Sequence, residues 1–198
     1  MKQITSAEFK QAVNIDPAWA STITKPIEIT DYCDMPNSKI THLSPLLTFN
    51  GKNNDGDSAN FSGCKNLKIA TGNFKGYSSF SYSGIEKIEN LNCGVDKNGN
   101  STFFSGCKNL RIATGNYEGA VDFSESGIEK IENLNCNKNI STHSSHFGKC
   151  ENLKMQNLTN QVIQQAVDQN WIGIDFNIEL KKRLTLAKIQ ESAVEIEF

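Results

Sequence analysis

Phenylalanine recurs along the middle of the chain at a spacing that fits neither a helix nor a simple strand alternation. The intervals between Phe61, Phe80, Phe104, Phe123 and Phe147 are alternately shorter and longer. A small residue follows each of them after three positions, and a leucine or isoleucine follows soon after that (Cys64 and Leu67, Ser83 and Ile85, Cys107 and Leu110, Ser126 and Ile128, Cys150 and Leu153). This pattern predicts five stacked coils, and residues 38–50 add a degenerate sixth.

The polar positions between these apolar ones are copied as well. Residues 61–93 and 104–136 are identical at 26 of 33 positions, at the offset that separates Cys64 from Cys107, and a third copy begins at 147–154. One such unit cannot bury its own apolar face, so repeats of this length typically stack on their neighbours. We therefore predict an α/β repeat solenoid of about six coils over residues 38–158.

The segments on either side of the repeats carry helix signals. Thr5 and Glu8 have the spacing of a capping box, which predicts a helix within an N-terminal cap spanning 1–37. Thr159 is the predicted N-cap of a first helix in a C-terminal cap spanning 159–198. Within this cap, a second helix is predicted over about 176–190 and a short edge strand over 194–198, where apolar and polar residues alternate.

The heads of the coils resemble those of the BspA-like leucine-rich repeat family. FSGCKNL and FSYSGIEKI are similar to that family's alternating A-F-x-G-C-x-x-L and A-F-x-x-S-G-L patterns, and the resemblance covers about 38–158. The chain departs from the family where it has LKIATG and IEKIENL, and it lacks the alanine before each phenylalanine. The resemblance implies right-handed coils of about 19–24 residues with one short parallel strand each and internal Phe and Leu spines. It also implies a bacterial surface or host-contact binding module without catalysis.

Composition and charge exclude several classes of protein. The formal net charge is −2 over 198 residues, which gives no reason to expect a nucleic-acid partner. No run approaches the roughly 20 apolar residues that cross a bilayer, and the first residues lack the apolar core of a signal peptide. We therefore expect no membrane insertion and a cytoplasmic location, with secretion by a signal-less route left open.

The six cysteines follow the repeat. Cys64, Cys107 and Cys150 occupy one repeat position, and Cys93 and Cys136 occupy another. Equivalent positions two coils apart are about 10 Å from each other at sheet spacing, which is too far for a disulfide. Reduced thiols buried in the core are therefore expected, with a native bridge or a catalytic thiol as the alternative.

Two local patterns could hold a metal ion. His143, His146 and Cys150 carry zinc-ligand side chains, but a fourth ligand is not evident, and two surface histidines beside a core cysteine are the simpler interpretation. The Asn, Asp and Gly residues of 51–60 and 94–101 are similar to the start of a calcium loop but lack its later glutamate, so plain turns are expected. The prediction is accordingly no cofactor, no metal site and no enzyme.

The seven positions at which the two copies differ indicate where a partner binds. Positions that stack on their own copies stay alike, so positions that differ are expected on an exposed surface, with neutral drift as the competing explanation. The predicted partner-binding residues are drawn from both copies (Lys68, Phe74, Lys75, Tyr77, Tyr82, Arg111, Tyr117, Glu118, Asp122 and Glu125).

The predicted function is a non-catalytic protein-binding module that is monomeric when unbound, such as an immunity-type inhibitor, a scaffold or an effector. A bacterial surface adhesin exported without a visible signal peptide is the first alternative. A metal site or enzyme centred on His143, His146 and Cys150 is the second.

Overall fold

The computed structural model describes residues 1–141 and 143–196, with side chains up to 187. In chain order its elements are β1 (Lys2–Ile4), α1 (Ser6–Ile15), β2 (Ile27–Ile29), β3 (Cys33–Asp34), β4 (Leu47–Phe49), β5 (Asp57–Asn60), β6 (Ile69–Phe74), β7 (Tyr77–Ser79), β8 (Lys87–Cys93), β9 (Asn100–Phe103), β10 (Ile112–Tyr117), β11 (Ala120–Asp122), β12 (Lys130–Cys136), β13 (Ser145–His146), α2 (Asn160–Asp168) and α3 (Phe176–Ile196). Short 3-10 helices lie at Trp19–Thr22 and Met155–Asn157.

The strands form a parallel β-solenoid of about six turns. One side is the first sheet, in the order β1-β2-β4-β6-β8, and the pair β10-β12 continues this side. The opposite side is the second sheet, in the order β13-β11-β9-β7-β5-β3. Each turn thus contributes one strand to each side, so the expectation of a single strand per coil is wrong. The repeat solenoid itself is confirmed.

A stack of phenylalanine rings runs through the centre of the solenoid. Phe61, Phe80, Phe104, Phe123 and Phe147 are all fully buried. Their successive ring centroids lie 5.8, 5.5, 5.5 and 5.4 Å apart, with interplanar angles of 18° or less. This spacing is close to the roughly 5 Å between neighbouring strands, so each ring packs on its own copy in the next coil.

The cysteines beside this stack are buried and free. The thiol of Cys107 donates a hydrogen bond to the Phe80 carbonyl at 3.1 Å, and that of Cys150 donates to the Phe123 carbonyl at 3.0 Å. The cysteine thiol three residues after Phe61, Phe104 and Phe147 therefore bonds to a carbonyl of the adjoining coil, which accounts for the cysteine at this place. The prediction of unbridged core thiols is confirmed.

The alternation of shorter and longer intervals between the phenylalanines arises mainly in the turns that join the two sheets. The turn between β6 and β7 comprises residues 75–76, whereas the turn between β8 and β9 comprises residues 94–99. Each of these short turns stacks on the long turn of the preceding coil. A Cβ atom on Gly76 would overlap the Gly56 carbonyl oxygen, so only glycine permits this approach.

The chain ends contain the predicted helices, with one correction. The Thr5–Glu8 capping box begins α1, and the Thr159 side chain accepts from the Val162 amide at the start of α2. Residues 194–196 belong to α3, so the strand predicted there is wrong; 197–198 lie outside the described residues. A short apolar alternation fits either element when no neighbouring strand fixes it.

Two further features concern the strands of the N-terminal segment and the character of the helices. Strand β1 pairs with β2, and β2 and β3 pair with strands of the next coil, so the ladders extend back to residue 2, within the segment predicted as the N-terminal cap. Across the part of the chain described here, none of the helices has the length and apolar character needed to cross a membrane.

Candidate functional site

The ten predicted partner-binding residues do not share one face. Phe74 and Tyr117 are buried, with 2% and 4% of their surface exposed, so the expectation that they lie on an exposed surface is wrong. The Phe74 ring stacks on Phe49 at a centroid distance of 4.6 Å. The exchange between Phe74 and Tyr117 keeps an aromatic ring in the core, and it therefore does not indicate a surface position.

Four charged positions lie away from the second sheet. Lys68 and Arg111 immediately precede β6 and β10. Each faces a glutamate of the adjoining coil (Lys68 with Glu86 at 2.7 Å, and Arg111 with Glu129 at 3.5 Å). The two remaining residues occupy the short turns between the sheets (Lys75 and Glu118). Exposed ion pairs such as these contribute little binding or folding energy.

The other four positions lie on the second sheet or just after its strands. Tyr77 belongs to β7 and Asp122 to β11, while Tyr82 and Glu125 occupy the equivalent place in the turns that follow. Tyr82 is 54% exposed, and Glu125 forms an ion pair with Lys149 at 2.7 Å. The structure therefore brings four of the ten residues to one side of the molecule.

An aromatic pair stands at the centre of this side. Phe103 in β9 is paired in the ladder with Ser79 on one side and with Asp122 on the other. Because Phe104 points into the core, strand alternation directs Phe103 outward. The rings of Tyr77 and Phe103 lie 5.0 Å apart at 84°, and both are half-buried. We define the aromatic corner as Tyr77 and Phe103 together.

Two aspartates flank the aromatic corner in the ladder, since Asp57 is paired with Tyr77 and Asp122 with Phe103. Burial raises the pKa of Tyr77 above its ordinary value, and the neighbouring charges of Asp57, Asp96 and Asp122 raise it further. Burial also raises the pKa of Tyr32 to about 12, with added contributions from Asp34 and Asp57. These two tyrosines thus lie within the electrostatic field of four aspartates.

Among the described side chains, the four aspartates that act on Tyr32 or Tyr77 form no ion pair with lysine or arginine. The four are Asp34, Asp57, Asp96 and Asp122. Lys97 lies in the field of two of them, but its ammonium group is paired with Asp55. In the described part of the chain, His146 is the one basic partner of these aspartates, with its Nδ1 3.5 Å from an Asp122 oxygen. We call these four aspartates the acidic rim, and they give this face an excess of negative charge.

Turn chemistry holds two members of the acidic rim in place. One oxygen of Asp96 accepts from the backbone N–H groups of Asn98 and Asn100, at 2.7 and 2.8 Å. Asp57 accepts from the Asn53 side chain at 2.8 Å. These contacts explain the Asn, Asp and Gly composition as turn formation, since such side chains bond to nearby backbone groups. Asp57 and Asp96 are accordingly fixed in position.

The histidines and cysteine of the predicted alternative metal site have separate partners. A ring nitrogen of His143 lies 3.2 Å from the Asn139 side-chain nitrogen, and His146 faces Asp122. Burial raises the pKa of the Cys150 thiol, which opposes formation of a thiolate. Within residues 1–141 and 143–187, no group of three or more His, Cys, Asp or Glu side chains is placed to hold a metal ion.

The first sheet presents a different surface, lined by amides. Asn92 donates to the Asn73 side chain at 2.9 Å, and Asn135 donates to that of Asn116 at 3.0 Å. A groove of about 760 Å³ lies between β12 and α2. The side chain of Gln165 crosses it to the Leu134 carbonyl at 2.6 Å, so α2 covers the end of this sheet.

Sequence reasoning missed Phe103 although a signal was present. The position before each phenylalanine head varies among the coils, with Asn60, Ser79, Phe103, Asp122 and His146. The near-identical copies begin at Phe61 and Phe104, so the exchange of Asn60 for Phe103 lies one residue before them. Extending the comparison upstream by one position would have included it.

Comparison with known proteins gives no relative for this chain. No family model, curated protein or solved structure matches it significantly.

Proposed function

We propose that the protein is a non-catalytic protein-binding module, and that the outer face of the second sheet is its binding surface. The single observation that carries this proposal is the aromatic corner, in which Tyr77 and Phe103 meet at 5.0 Å on the outside of a regular sheet. Tyrosine and phenylalanine are enriched in the cores of protein interfaces, where they supply large contact areas.

The rest of the molecule supports a scaffold for such a surface. The stacked rings and the two ladders repeat the same packing from coil to coil, so outward residues are held in regular rows. Tyr82, in the turn after β7, adds an exposed aromatic side chain on the same side of the molecule. An immunity-type inhibitor, a scaffold and an effector would all use such a rigid, non-catalytic face.

The finer architectural assignments belong to the same proposal. Membership of the BspA-like leucine-rich repeats is supported by the coil length and by the F-x-x-C/S heads. A capping role for the end helices is supported by the contact of Phe9 with Phe49, at 5.6 Å, and by Gln165 at the opposite end. Six buried free thiols support a reducing compartment such as the cytoplasm.

The test compares capture of a partner by wild-type protein and by two matched variants. Phe103→Asn places in the sheet a residue that the scaffold already uses at Asn60. Glu132→Gln changes an exposed residue on β12, on the side of the first sheet, and serves as the control. Tagged proteins are incubated with lysate of the source cell, and bound proteins are identified by mass spectrometry.

We expect a partner retained by wild type and Glu132→Gln and lost with Phe103→Asn. Truncating an anchor residue of this kind typically weakens binding by about 2 kcal/mol or more, which is roughly thirtyfold. Equal capture by all three proteins would place the binding surface elsewhere.

A further inference from the structure

We propose that the aromatic corner binds the side chain of an arginine in a basic segment of the partner protein. This inference rests on the proposed function and adds the chemistry of the partner. It is carried by the geometry of the two rings together with the carboxylates around them.

The geometry of the rings suits a cation. Tyr77 and Phe103 meet at 84°, so they present two walls that are nearly perpendicular. A cation within about 6 Å of an aromatic centroid is attracted by the electron-rich face of the ring, and sites for organic cations combine several such walls. A flat apolar partner would need one continuous surface, which the corner does not offer.

The charge around the corner favours the same ligand. Asp57 is the ladder neighbour of Tyr77 and Asp122 that of Phe103, and the charges of these two and of Asp96 act on the Tyr77 hydroxyl. None of them forms an ion pair with lysine or arginine among the side chains described. A cationic partner would be attracted by this field, whereas nucleic acid and anionic ligands would be repelled.

A small metal ion fits this surface poorly. The carboxylates of Asp96 and Asp57 already accept hydrogen bonds from their own turns, and the two rings occupy the space between Asp57 and Asp122 in the ladder order. A hard cation such as Ca²⁺ needs about six or more oxygen ligands converging on a single point. A guanidinium group can instead stack on a ring and use its edge for the carboxylates.

Arginine fits better than lysine for the same reason. Its guanidinium group is planar, is weakly hydrated and carries five N–H donors, so it can stack and bond to carboxylate oxygens together. Lysine carries a compact, strongly hydrated charge that gives up more solvation when it contacts a ring. We therefore expect a preference for arginine among cationic side chains.

The repeats themselves supply the variants for a test. In the other copy of the repeat, Asn60 stands at the position of Phe103. In the same way, Ser79 is equivalent to Asp122, and Ala120 is equivalent to Tyr77. Phe103→Asn, Asp122→Ser and Tyr77→Ala therefore introduce residues that this scaffold accepts at equivalent places. Thermal melting confirms that each variant is folded before binding is measured.

The experiment titrates the whole chain with three synthetic peptides that differ at only three positions. The first carries three arginines separated by glycines, the second carries lysine at those positions, and the third carries citrulline, the neutral analogue of arginine. Binding is followed by isothermal titration calorimetry and by amide shifts in ¹⁵N NMR spectra. Glu132→Gln is again the control variant.

We expect the arginine peptide to bind tightest and to shift the amides of β7, β9 and β11. Its affinity should fall at least tenfold in Phe103→Asn and in Asp122→Ser, remain unchanged in Glu132→Gln, and weaken as salt increases. Citrulline and lysine peptides binding as well as arginine, or amide shifts confined to the first sheet, would overturn the inference. The inference would also be overturned if none of the three peptides binds.

The two proposals fail separately. If Phe103→Asn loses a captured partner while the arginine peptide does not bind, the second sheet remains the binding surface and the arginine inference falls. If the arginine peptide binds but Phe103→Asn captures the same partner as wild type, the corner binds arginine and the proposed partner surface falls.

Discussion

The adjacent residues Phe103 and Phe104 allow a direct test of which side of the second sheet faces the core. Phe104 is fully buried and stacks on Phe80 and Phe123, with centroid distances of 5.5 Å on both sides. Phe103 is half-buried and contacts Tyr77 on the outside. We predict that Phe104→Ala destabilises the protein severely, whereas Phe103→Ala destabilises it much less.

The size of the effect follows from the contacts that are lost. Replacing a buried phenylalanine by alanine costs about 3–5 kcal/mol, through lost burial and the cavity left behind. Each aromatic pair adds about 0.5–1.5 kcal/mol beyond burial, and Phe104 belongs to two pairs. We therefore expect a loss near the upper end, about 5 kcal/mol, which corresponds to roughly 10–20 °C in Tm for a chain of this size. The loss for Phe103→Ala should stay at or below about 2 kcal/mol, because this side chain is half-buried and belongs to one aromatic pair.

Urea unfolding followed by circular dichroism, together with thermal melting, measures both variants against wild type. Coincident transitions by far-UV and tryptophan signals are required first, because repeat proteins can unfold in parts. Phe104→Leu is the volume control and should lose less than half as much as Phe104→Ala. Equal destabilisation by Phe103→Ala and Phe104→Ala would show that the assignment of inside and outside is wrong.

Two further predictions concern the core thiols and the stacked turns. Burial raises the pKa of Cys136 to about 12 from an ordinary value of 9.0. Between these values the thiol ionises in the unfolded state and stays protonated in the folded state. The contribution of this thiol to the free energy of unfolding should therefore be full below pH 9 and fall as the pH rises toward 12. Urea unfolding between pH 8 and 11 measures this fall, and Cys136→Ala should reduce it; an identical pH dependence in the variant would contradict the assignment. Gly76→Ala should lower the free energy of unfolding by more than about 1 kcal/mol, because its Cβ would overlap the Gly56 carbonyl oxygen. Lys75→Ala, in the same turn, is the control. Equal melting temperatures of the two variants would contradict the prediction.

The repeat made much of the fold predictable from the sequence. Because every phenylalanine head meets its own copy in the next coil, the regular recurrence of these residues indicated the stacked core. The same logic placed the cysteines inside, since residues at one repeat position share one environment. The Thr5 and Thr159 caps were predictable because capping depends on neighbours within a few residues.

The second sheet was not predictable in this way. Its strands are short and contain buried serines and threonines, such as Ser78 and Thr102, which give no apolar alternation. They are stabilised by backbone pairing with strands of the neighbouring coils and by side-chain bonds such as that from Thr102 to the Ser78 carbonyl at 2.9 Å. Local propensity carries no record of such partners.

The candidate site was predicted only in part, for a related reason. Differences between the copies indicated Tyr77 and Asp122, which lie on the second sheet, but they also indicated Phe74, which the core buries. A difference in sequence shows that a position tolerates change; whether the side chain points outward depends on the strand and its register. Phe103 lay just outside the aligned block, and its distance of 5.0 Å from Tyr77 arises only when neighbouring coils stack.

By itself, the sequence determined that the chain stacks in coils, which ring of each coil enters the core and where the first helices begin. These features depend on spacing along the chain, and spacing is present in the sequence. The tertiary structure alone decided that each coil has two strands, that Phe103 and Tyr77 meet, and that aspartates flank them without ion pairs to lysine or arginine among the described side chains. Those features depend on contacts between coils, where residues far apart in the chain become neighbours across about 5 Å.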